Sequence, residues 1–156
     1  MTKEKTSIIK IESKKDLEKC WDVIKLLRPQ LTKEAFVSSV ITMMREEKYK
    51  VIALRDQDRF IAYAGYRVMT TLHSGKIFYL DDLCTDTSYR NKGLATILLN
   101  YIKNEAEHLE KDAITLDSSY DLTNAHRLYL NHSYQIIAHH FMLKIDNNSL
   151  ADKIQP

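Results

Sequence analysis

A short segment combines residue types that favour anion binding at the start of a predicted helix. Residues 90–96 read R-N-K-G-L-A-T, and Gly93 is one of three glycines in 156 residues. The first N–H groups of a helix have no acceptor within it and carry partial positive charge, so they favour an anion. Glycine lets a phosphate chain approach these amides, and Arg90 and Lys92 add positive charge. The segment predicts phosphate binding; a helix start with solvated basic side chains is the alternative.

Other function classes are excluded by composition and by missing motifs. The chain has no GxxxxGK[ST] or GxGxxG segment, which argues against an NTPase or dinucleotide loop. Its net charge of +2 is too small to indicate binding to nucleic acid or a membrane surface. No signal peptide and no membrane-spanning run is recognisable, and Cys20 and Cys84 have no metal or redox spacing. We therefore expect a cytoplasmic protein.

The elements that must position this segment alternate between strands and helices. A hydrophobic content of 44% with 28% charged residues predicts one globular domain over residues 1–156, with 146–156 as a tail. The order βααβββαβαββ indicates an α/β fold whose mixed sheet has six to seven strands, antiparallel at first and then parallel across the helix after Gly93. The predicted strands are 7–11, 49–56, 59–72, 76–86, 112–119 and one or two within 134–145; the predicted helices are 15–27, one capped by Thr32, one after Gly93, and 121–132.

These segments resemble a known family. R-N-K-G-L-A (90–95), after a strand ending D-D-L-C-T, resembles the R/Q-x-x-G-x-G/A acetyl-CoA loop of the GNAT N-acetyltransferase superfamily. N-A-H-R-L-Y (124–129) is similar to the family's N-x-x-A/x-x-x-Y helix, although Ser133-Tyr134 stands where the family has Gly-Phe. The segments L-R-P-Q-L, L-D-D-L-C-T, L-D-S-S and A-H-R-L-Y resemble a bacterial subgroup of small members. The resemblance covers about residues 15–145 and implies a GNAT fold with a splayed fourth and fifth strand pair.

The resemblance also implies a binding site for acetyl-CoA, with CoA as product. In this family the pantetheine arm enters the gap between the splayed strands, and the pyrophosphate lies on the loop. Asn124 is implied to contact the pantetheine; a polar residue in the first turn of a helix is the alternative. No metal is expected, because no residues have zinc-ligand spacing. The implied backbone contacts are Leu83, Cys84 and Thr85 for the pantetheine, and Arg90, Asn91, Lys92, Gly93, Leu94, Ala95 and Thr96 for the pyrophosphate.

The implied reaction is direct transfer of an acetyl group to a primary amine. An alkylammonium has a pKa near 10.4, so only about one molecule in 10³ is nucleophilic at pH 7. A base or desolvation must supply the neutral amine, and a backbone N–H must stabilise the oxyanion. The resemblance places Tyr129 near the thioester sulfur, where its hydroxyl can protonate the thiolate; a core aromatic residue is the alternative.

Asp82 and His126 are candidate bases, with Asp81, Asp117 and His140 as further candidates. Adjacent Asp81 and Asp82 point to opposite faces of a regular strand, so at most one faces the cleft unless a bulge intervenes. Asp82 could instead bond to a neighbouring loop, and His126 could lie on a solvated helix face. Cys84 as a nucleophile is a remote alternative, since no base can be placed beside it.

The sequence therefore predicts an acetyl-CoA-dependent N-acetyltransferase whose acceptor is a small molecule, a lysine or an N-terminal amine. The alternative is a catalytically weak acyl-CoA-binding sensor or regulatory module, which the replacement of Gly-Phe by Ser133-Tyr134 slightly favours. The expected partners are acetyl-CoA and an amine, with neither nucleic acid nor membrane, and the chain is expected to be a monomer or homodimer. Carboxylates near the cleft would suit a cationic acceptor.

Overall fold

The computed structural model describes residues 6–145 and contains two compact units, residues 1–117 and 118–156. The first unit holds a five-stranded sheet of order β1-β2-β3-β4-β5 and three helices, and the second unit holds the helix α4. The elements are β1 (Ser7–Lys10), α1 (Lys14–Ile24), α2 (Lys33–Glu46), β2 (Tyr49–Asp56), β3 (Arg59–Thr71), β4 (Gly75–Thr85), a 3₁₀ turn (Thr87–Tyr89), α3 (Leu94–His108), β5 (Ala113–Leu116) and α4 (Thr123–Asn131).

Side-chain caps fix where the first two helices begin. The Thr32 hydroxyl accepts a hydrogen bond from the Ala35 N–H at 3.1 Å, which confirms Thr32 as a cap, and Ser13 does the same for α1. The apolar faces of both helices pack on one face of the sheet, where burial of apolar surface stabilises the unit. The buried residues of this core include Leu17, Cys20, Ile24, Phe36, Val40, Val51, Ala53 and Tyr63.

The sheet is mixed, as predicted. Strands β1 to β4 pair antiparallel, whereas β4 pairs with β5 in parallel across α3. The parallel ladder is short, running from Ile77↔Ala113 to Leu80↔Leu116. A crossover helix between neighbouring parallel strands is the connection that this topology requires.

The prediction of six to seven strands is wrong for the described residues, because the segment 134–145 contains no strand. Its apolar side chains, among them Ile136 and Phe141, are exposed. Alternation and β propensity are local properties, whereas a strand forms only when its N–H and C=O groups pair with a neighbour. The predicted tail, residues 146–156, lies outside the described residues.

Helix α4 ends in a left-handed turn although it lacks glycine there. Ser133 has φ 65, its N–H donates to the Leu130 carbonyl at 3.0 Å, and the Tyr134 N–H donates to the Tyr129 carbonyl at 3.0 Å. These are the two bonds of a Schellman motif, whose left-handed residue is usually glycine. For a residue with a Cβ, the left-handed conformation is less favourable by roughly 1–2 kcal/mol. The departure at Ser133 therefore strains the turn without removing it.

Gly65 of β3 makes room for the ring of Tyr49, which crosses the backbone of β3 at this point. A Cβ on residue 65 would lie 1.7 Å from the Tyr49 hydroxyl oxygen and 2.4 Å from Cζ. The space lets the Tyr49 hydroxyl reach β4, where it donates to Oδ2 of Asp82 at 2.8 Å. The Tyr63 hydroxyl oxygen lies 3.3 Å from that of Tyr49. Glycine at residue 65 is therefore a condition for the bond between Tyr49 and Asp82.

We expect Gly65→Ala to lower the free energy of unfolding by about 1–3 kcal/mol, because the methyl group displaces a buried tyrosine. Urea denaturation measures the loss. The control is the same substitution in a Tyr49→Leu background, where no hydroxyl occupies the space and the additional loss should be smaller. An equal loss in both backgrounds would show that Tyr49 is not the residue displaced.

We expect Ser133→Gly to raise the free energy of unfolding by about 0.5–1 kcal/mol, because glycine relieves the left-handed strain but is more flexible when unfolded. Ser38→Gly, in the middle of α2, is the control and should lower stability by about 0.5 kcal/mol. Parallel urea titrations compare the two variants. A destabilised Ser133→Gly variant would contradict the proposed strain.

Candidate active site

Within the described residues 6–145, the end of β4 presents a backbone edge to which no strand is paired. The last pair between β4 and β5 is Leu80↔Leu116, but β4 continues to Thr85. The Asp86 N–H donates to the Ile61 carbonyl of β3 at 2.8 Å. Because hydrogen bonds alternate along a strand, the backbone groups of Leu83 and Thr85 face the open edge. By the same alternation, those of Cys84 face β3.

A β-bulge sets this alternation. Gly65 pairs with Asp82 and the next residue of β3 pairs with Leu80, so Asp81 is the extra residue of β4. Before the bulge, even-numbered residues face β5, as shown by the Lys76 carbonyl, which accepts from the Asp112 N–H at 2.7 Å. After the bulge, odd-numbered residues face that side. An extra residue inverts which backbone groups of a strand point to each neighbour.

The bulge also brings two carboxylates to one face of the sheet. Asp82 accepts hydrogen bonds from the Tyr49 hydroxyl and from Arg28, whose Nη2 lies 2.6 Å from Oδ1. The Asp81 carboxylate accepts from Arg67 at 2.9 and 3.0 Å, and the Arg67 guanidinium lies 5.7 Å from the centre of the Tyr49 ring. Burial, together with the nearby Asp82 carboxylate, raises the pKa of Asp81 despite its bonds to Arg67. Because of the bulge, Asp81 and Asp82 do not point to opposite faces as they would in a regular strand.

All three predicted strand carboxylates are bound by neighbouring side chains. Asp82 bonds to the turn after α1 through Arg28, which is the loop contact considered as an alternative to catalysis. Asp117 accepts a hydrogen bond from the Tyr79 hydroxyl. A cationic acceptor, which these carboxylates were expected to suit, would have to compete with these partners.

A cavity of about 230 Å³ lies beside Asp82 in the first unit. Its volume suits a small group rather than a drug-sized molecule. Side chains from α1, α2 and the turn between them line it together with residues of three strands. Its lining includes Ile24, Leu31, Phe36, Val40 and Met43, together with Arg28, Tyr49, Tyr63 and Asp82.

Cys84 is not a nucleophile in this structure. Its thiol donates to the Val23 carbonyl at 3.3 Å. Burial raises the pKa of Cys84 to about 12. The thiolate is the reactive form of cysteine, so Cys84 is unreactive at neutral pH.

The loop before α3 is anchored by Asp86, a residue that the sequence analysis missed. Its carboxylate accepts hydrogen bonds from the N–H of Ser88 at 2.9 Å and from the Ser88 hydroxyl at 2.6 Å, and it pairs with Arg59 at 3.2 Å. The two Ser88 bonds lower the pKa of Asp86. The sequence signal was an Asp two residues before a Ser, a pattern typical of turns closed by a side chain.

Gly93 has the left-handed conformation φ 76, ψ 12 and immediately precedes α3. No side chain caps this helix, and its first intrahelical bond runs from the Ile97 N–H to the Gly93 carbonyl at 3.2 Å. A Cβ on residue 93 would meet no atom within 4 Å, so the space beside the loop is open. Arg90, Asn91 and Lys92 are exposed, and the Lys92 ammonium lies 4.8 Å from the centre of the Tyr89 ring. Backbone, space and charge here all suit an anion.

The second unit carries the remaining predicted residues. Asn124 is exposed in the first turn of α4. Nε2 of His126 lies 2.8 Å from the Ser119 carbonyl, and since a carbonyl only accepts, Nε2 is the donor. The Tyr129 ring packs on Tyr134 with centroids 5.7 Å apart, and burial raises the pKa of Tyr129, which keeps its hydroxyl protonated at neutral pH. His140 lies in the exposed segment without strands.

Within residues 6–145, no cluster of three or more His, Cys, Asp or Glu side chains is arranged to hold a metal ion. Over the same described range, no helix has the length and apolar character needed to cross a bilayer.

Comparisons with known proteins agree with this geometry. A Bacillus subtilis (strain 168) protein named as uncharacterized N-acetyltransferase YhdJ is 25% identical over 119 residues, covering 76% of this chain and 84% of the relative. Two solved structures share the fold at low identity. AAC(6')-Iy, in complex with the bisubstrate analogue CoA-S-monomethyl-acetylneamine, has a TM-score of 0.78 at 12% identity and covers 91% of this chain and 99% of its own. A transcriptional regulator from Bacillus halodurans C-125 has a TM-score of 0.76 at 16% identity, with coverage of 91% and 99%.

The model of the acetyltransferase (GNAT) family matches residues 15–134, which is most of the chain. This match includes β4, the loop before α3 and helix α4. The chain belongs to the acetyltransferase (GNAT) family, and it is an acyltransferase enzyme.

Proposed function

We propose that this acyltransferase moves an acetyl group directly from acetyl-CoA to a primary amine. The observation that carries the proposal is the open edge of β4, where the backbone groups of Leu83 and Thr85 face away from β3. An extended molecule with its own amides can pair with such an edge as a strand would. The pantetheine arm of acetyl-CoA is such a molecule.

The loop before α3 supports the same donor. Gly93 leaves open space in front of the uncapped N-terminus of α3, and Arg90 and Lys92 lie beside it. We propose that the backbone amides of Arg90 through Thr96 bind the pyrophosphate, with Leu94 and Ala95 in the first helical turn. A left-handed residue before a helix orients successive N–H groups toward one point, which suits a phosphate.

Acetyl-CoA supplies an acyl thioester, and the chain's own groups supply the rest of the chemistry. A backbone N–H at the open edge of β4 donates to the oxygen that becomes negative as the amine attacks. Tyr129, whose hydroxyl is protonated at neutral pH, gives a proton to the departing sulfur. Asn124 is proposed to hold the pantetheine.

The acceptor loses its proton to a base, for which Asp82 and His126 are the candidates. Asp82 already binds Arg28 and Tyr49, so an acceptor would have to replace one of them. His126 donates through Nε2 to a backbone carbonyl, which leaves Nδ1 to accept a proton. The cavity beside Asp82 favours a small amine, or the end of a longer one, with an apolar body.

We expect acetyl-CoA to raise the Tm of the wild-type chain. At 100 times Kd a one-site ligand adds about 2.7 kcal/mol, which is several degrees for this size. Gly93→Asp should abolish the shift, because its charge repels the phosphates. Gly93→Asn has the same shape without the charge and tolerates the left-handed region, so it should keep part of the shift. Thermal melts with acetyl-CoA measure both variants, and a wild-type shift in Gly93→Asp would make the loop assignment wrong.

We expect Tyr129→Phe to lower kcat about tenfold to a hundredfold, while Kd for acetyl-CoA changes little. The variant keeps the ring and its contact with Tyr134 but loses the proton for the thiolate, whose thiol has a pKa near 8.5. Release of free thiol in the presence of a panel of amines measures kcat, and calorimetry measures Kd.

The same experiment separates the enzyme from an acyl-CoA-binding sensor. Binding of acetyl-CoA with no release of its thiol in the presence of any amine, in wild type as well as in Tyr129→Phe, would support a sensor. An unchanged kcat in Tyr129→Phe would remove the acid role from Tyr129. Tyr134→Phe, which alters the neighbouring ring in the same way, is the control and should keep kcat.

A further inference from the structure

Two arginines from outside β4 hold the bulge at its extra residue. Arg28 donates from Nε to Oδ1 of Asp82 at 2.8 Å and from Nη2 to the backbone carbonyl of Asp81 at 3.2 Å. Arg67 of β3 binds the carboxylate of Asp81 with two N–H groups. Arg28 therefore bonds to the main chain of the bulged residue Asp81, whereas Arg67 bonds to its side chain.

Arg28 reaches β4 from a turn that is itself fixed. Its N–H donates to the Ile24 carbonyl at 2.9 Å, and its carbonyl accepts from the Leu31 N–H at 3.1 Å. Pro29 follows it and restricts the backbone of the preceding residue. A guanidinium presents several N–H groups in a rigid plane, so one side chain can hold a carboxylate and a carbonyl together. Arg28 is thus held by hydrogen bonds of its main chain as well as of its side chain.

The bulge matters because it determines which backbone groups line the open edge. Without the extra residue, Asp82 and Cys84 would direct their N–H and C=O groups to that edge, and Leu83 and Thr85 would bond to β3. Arg28 contacts the carbonyl of Asp81, the residue after which the backbone groups facing β3 and those facing the open edge change places. A small rotation there would redirect the N–H groups that follow.

We propose that Arg28 is a positioning residue for acetyl transfer, which holds the bulge of β4 so that Leu83 and Thr85 present their backbone groups to the pantetheine and to the oxyanion. The inference rests on the function proposed above. Arg28 also lines the acceptor cavity with Tyr49 and Asp82. An acceptor in this cavity therefore contacts the residues that hold the donor edge, which links the two binding events.

Two ligands test the inference, because they differ in whether they reach β4. CoA contains pantetheine, whereas the fragment adenosine 3′-phosphate 5′-diphosphate carries the nucleoside and phosphates without pantetheine and should not reach β4. In Arg28→Met we expect Kd for CoA to rise about tenfold, as when roughly one hydrogen bond is lost, and Kd for the fragment to change less than about twofold. We expect kcat to fall at least about tenfold, because the oxyanion donor is displaced.

Arg28→Lys keeps a positive charge beside Asp82, so it allows the same test if Arg28→Met does not fold. It should give an intermediate rise in Kd for CoA with a Tm near wild type, because an ammonium cannot hold both groups in one plane. Arg45→Met is the control; it removes an exposed guanidinium that pairs with Glu46, and it should leave both Kd values unchanged.

A folded Arg28→Met or Arg28→Lys with wild-type Kd for CoA and wild-type kcat would overturn the inference. Equal weakening of CoA and the fragment would also overturn it, since the effect would then not lie at β4. Failure of the wild-type chain to bind either ligand would instead show that the proposed function, on which the inference rests, is wrong.

Discussion

One extra residue in β4 is the constraint on which the rest of the site depends. Asp81 has no partner position on β3, so the strand changes which of its backbone groups face each neighbour at this point. The change follows directly on the last pair with β5, and the backbone groups beyond it are those directed to the open edge. The bulge and the start of the open edge therefore lie at adjacent residues of β4.

The bulge places two carboxylates on one face, and the surrounding residues compensate for their proximity. Arg67 pairs with Asp81 and Arg28 pairs with Asp82. The Tyr49 hydroxyl donates a further hydrogen bond to Asp82. Partly buried ion pairs add little net stability, but removing one partner leaves an uncompensated charge. The network is therefore better suited to specifying one register of β4 than to stabilising the fold as a whole. Gly65 belongs to this network, because its missing side chain gives Tyr49 access to Asp82.

Much of the fold and part of the site could be predicted from local sequence. Thr32 as a cap, the parallel pair across α3 and the loop around Gly93 follow from capping chemistry, hydrophobic period and helix-end electrostatics. Arg28 and Asp82, more than fifty residues apart, could not be paired this way, because nothing in either segment indicates the other. The predicted strands within 134–145 failed for a related reason, since a strand requires a partner that no local pattern can supply.

The sequence by itself determined the family, the α/β class with a mixed sheet, and the segment where an anion can approach a helix. These properties depend on residue types at short spacing, which local backbone preferences translate directly into structure. Only the tertiary structure decided that Asp81 is the extra residue of β4, that Asp82 is bound by Arg28, and that the half-buried Cys84 thiol has a raised pKa. Each of these depends on which distant side chain lies alongside, and that is fixed by the register of strands and the packing of helices on them.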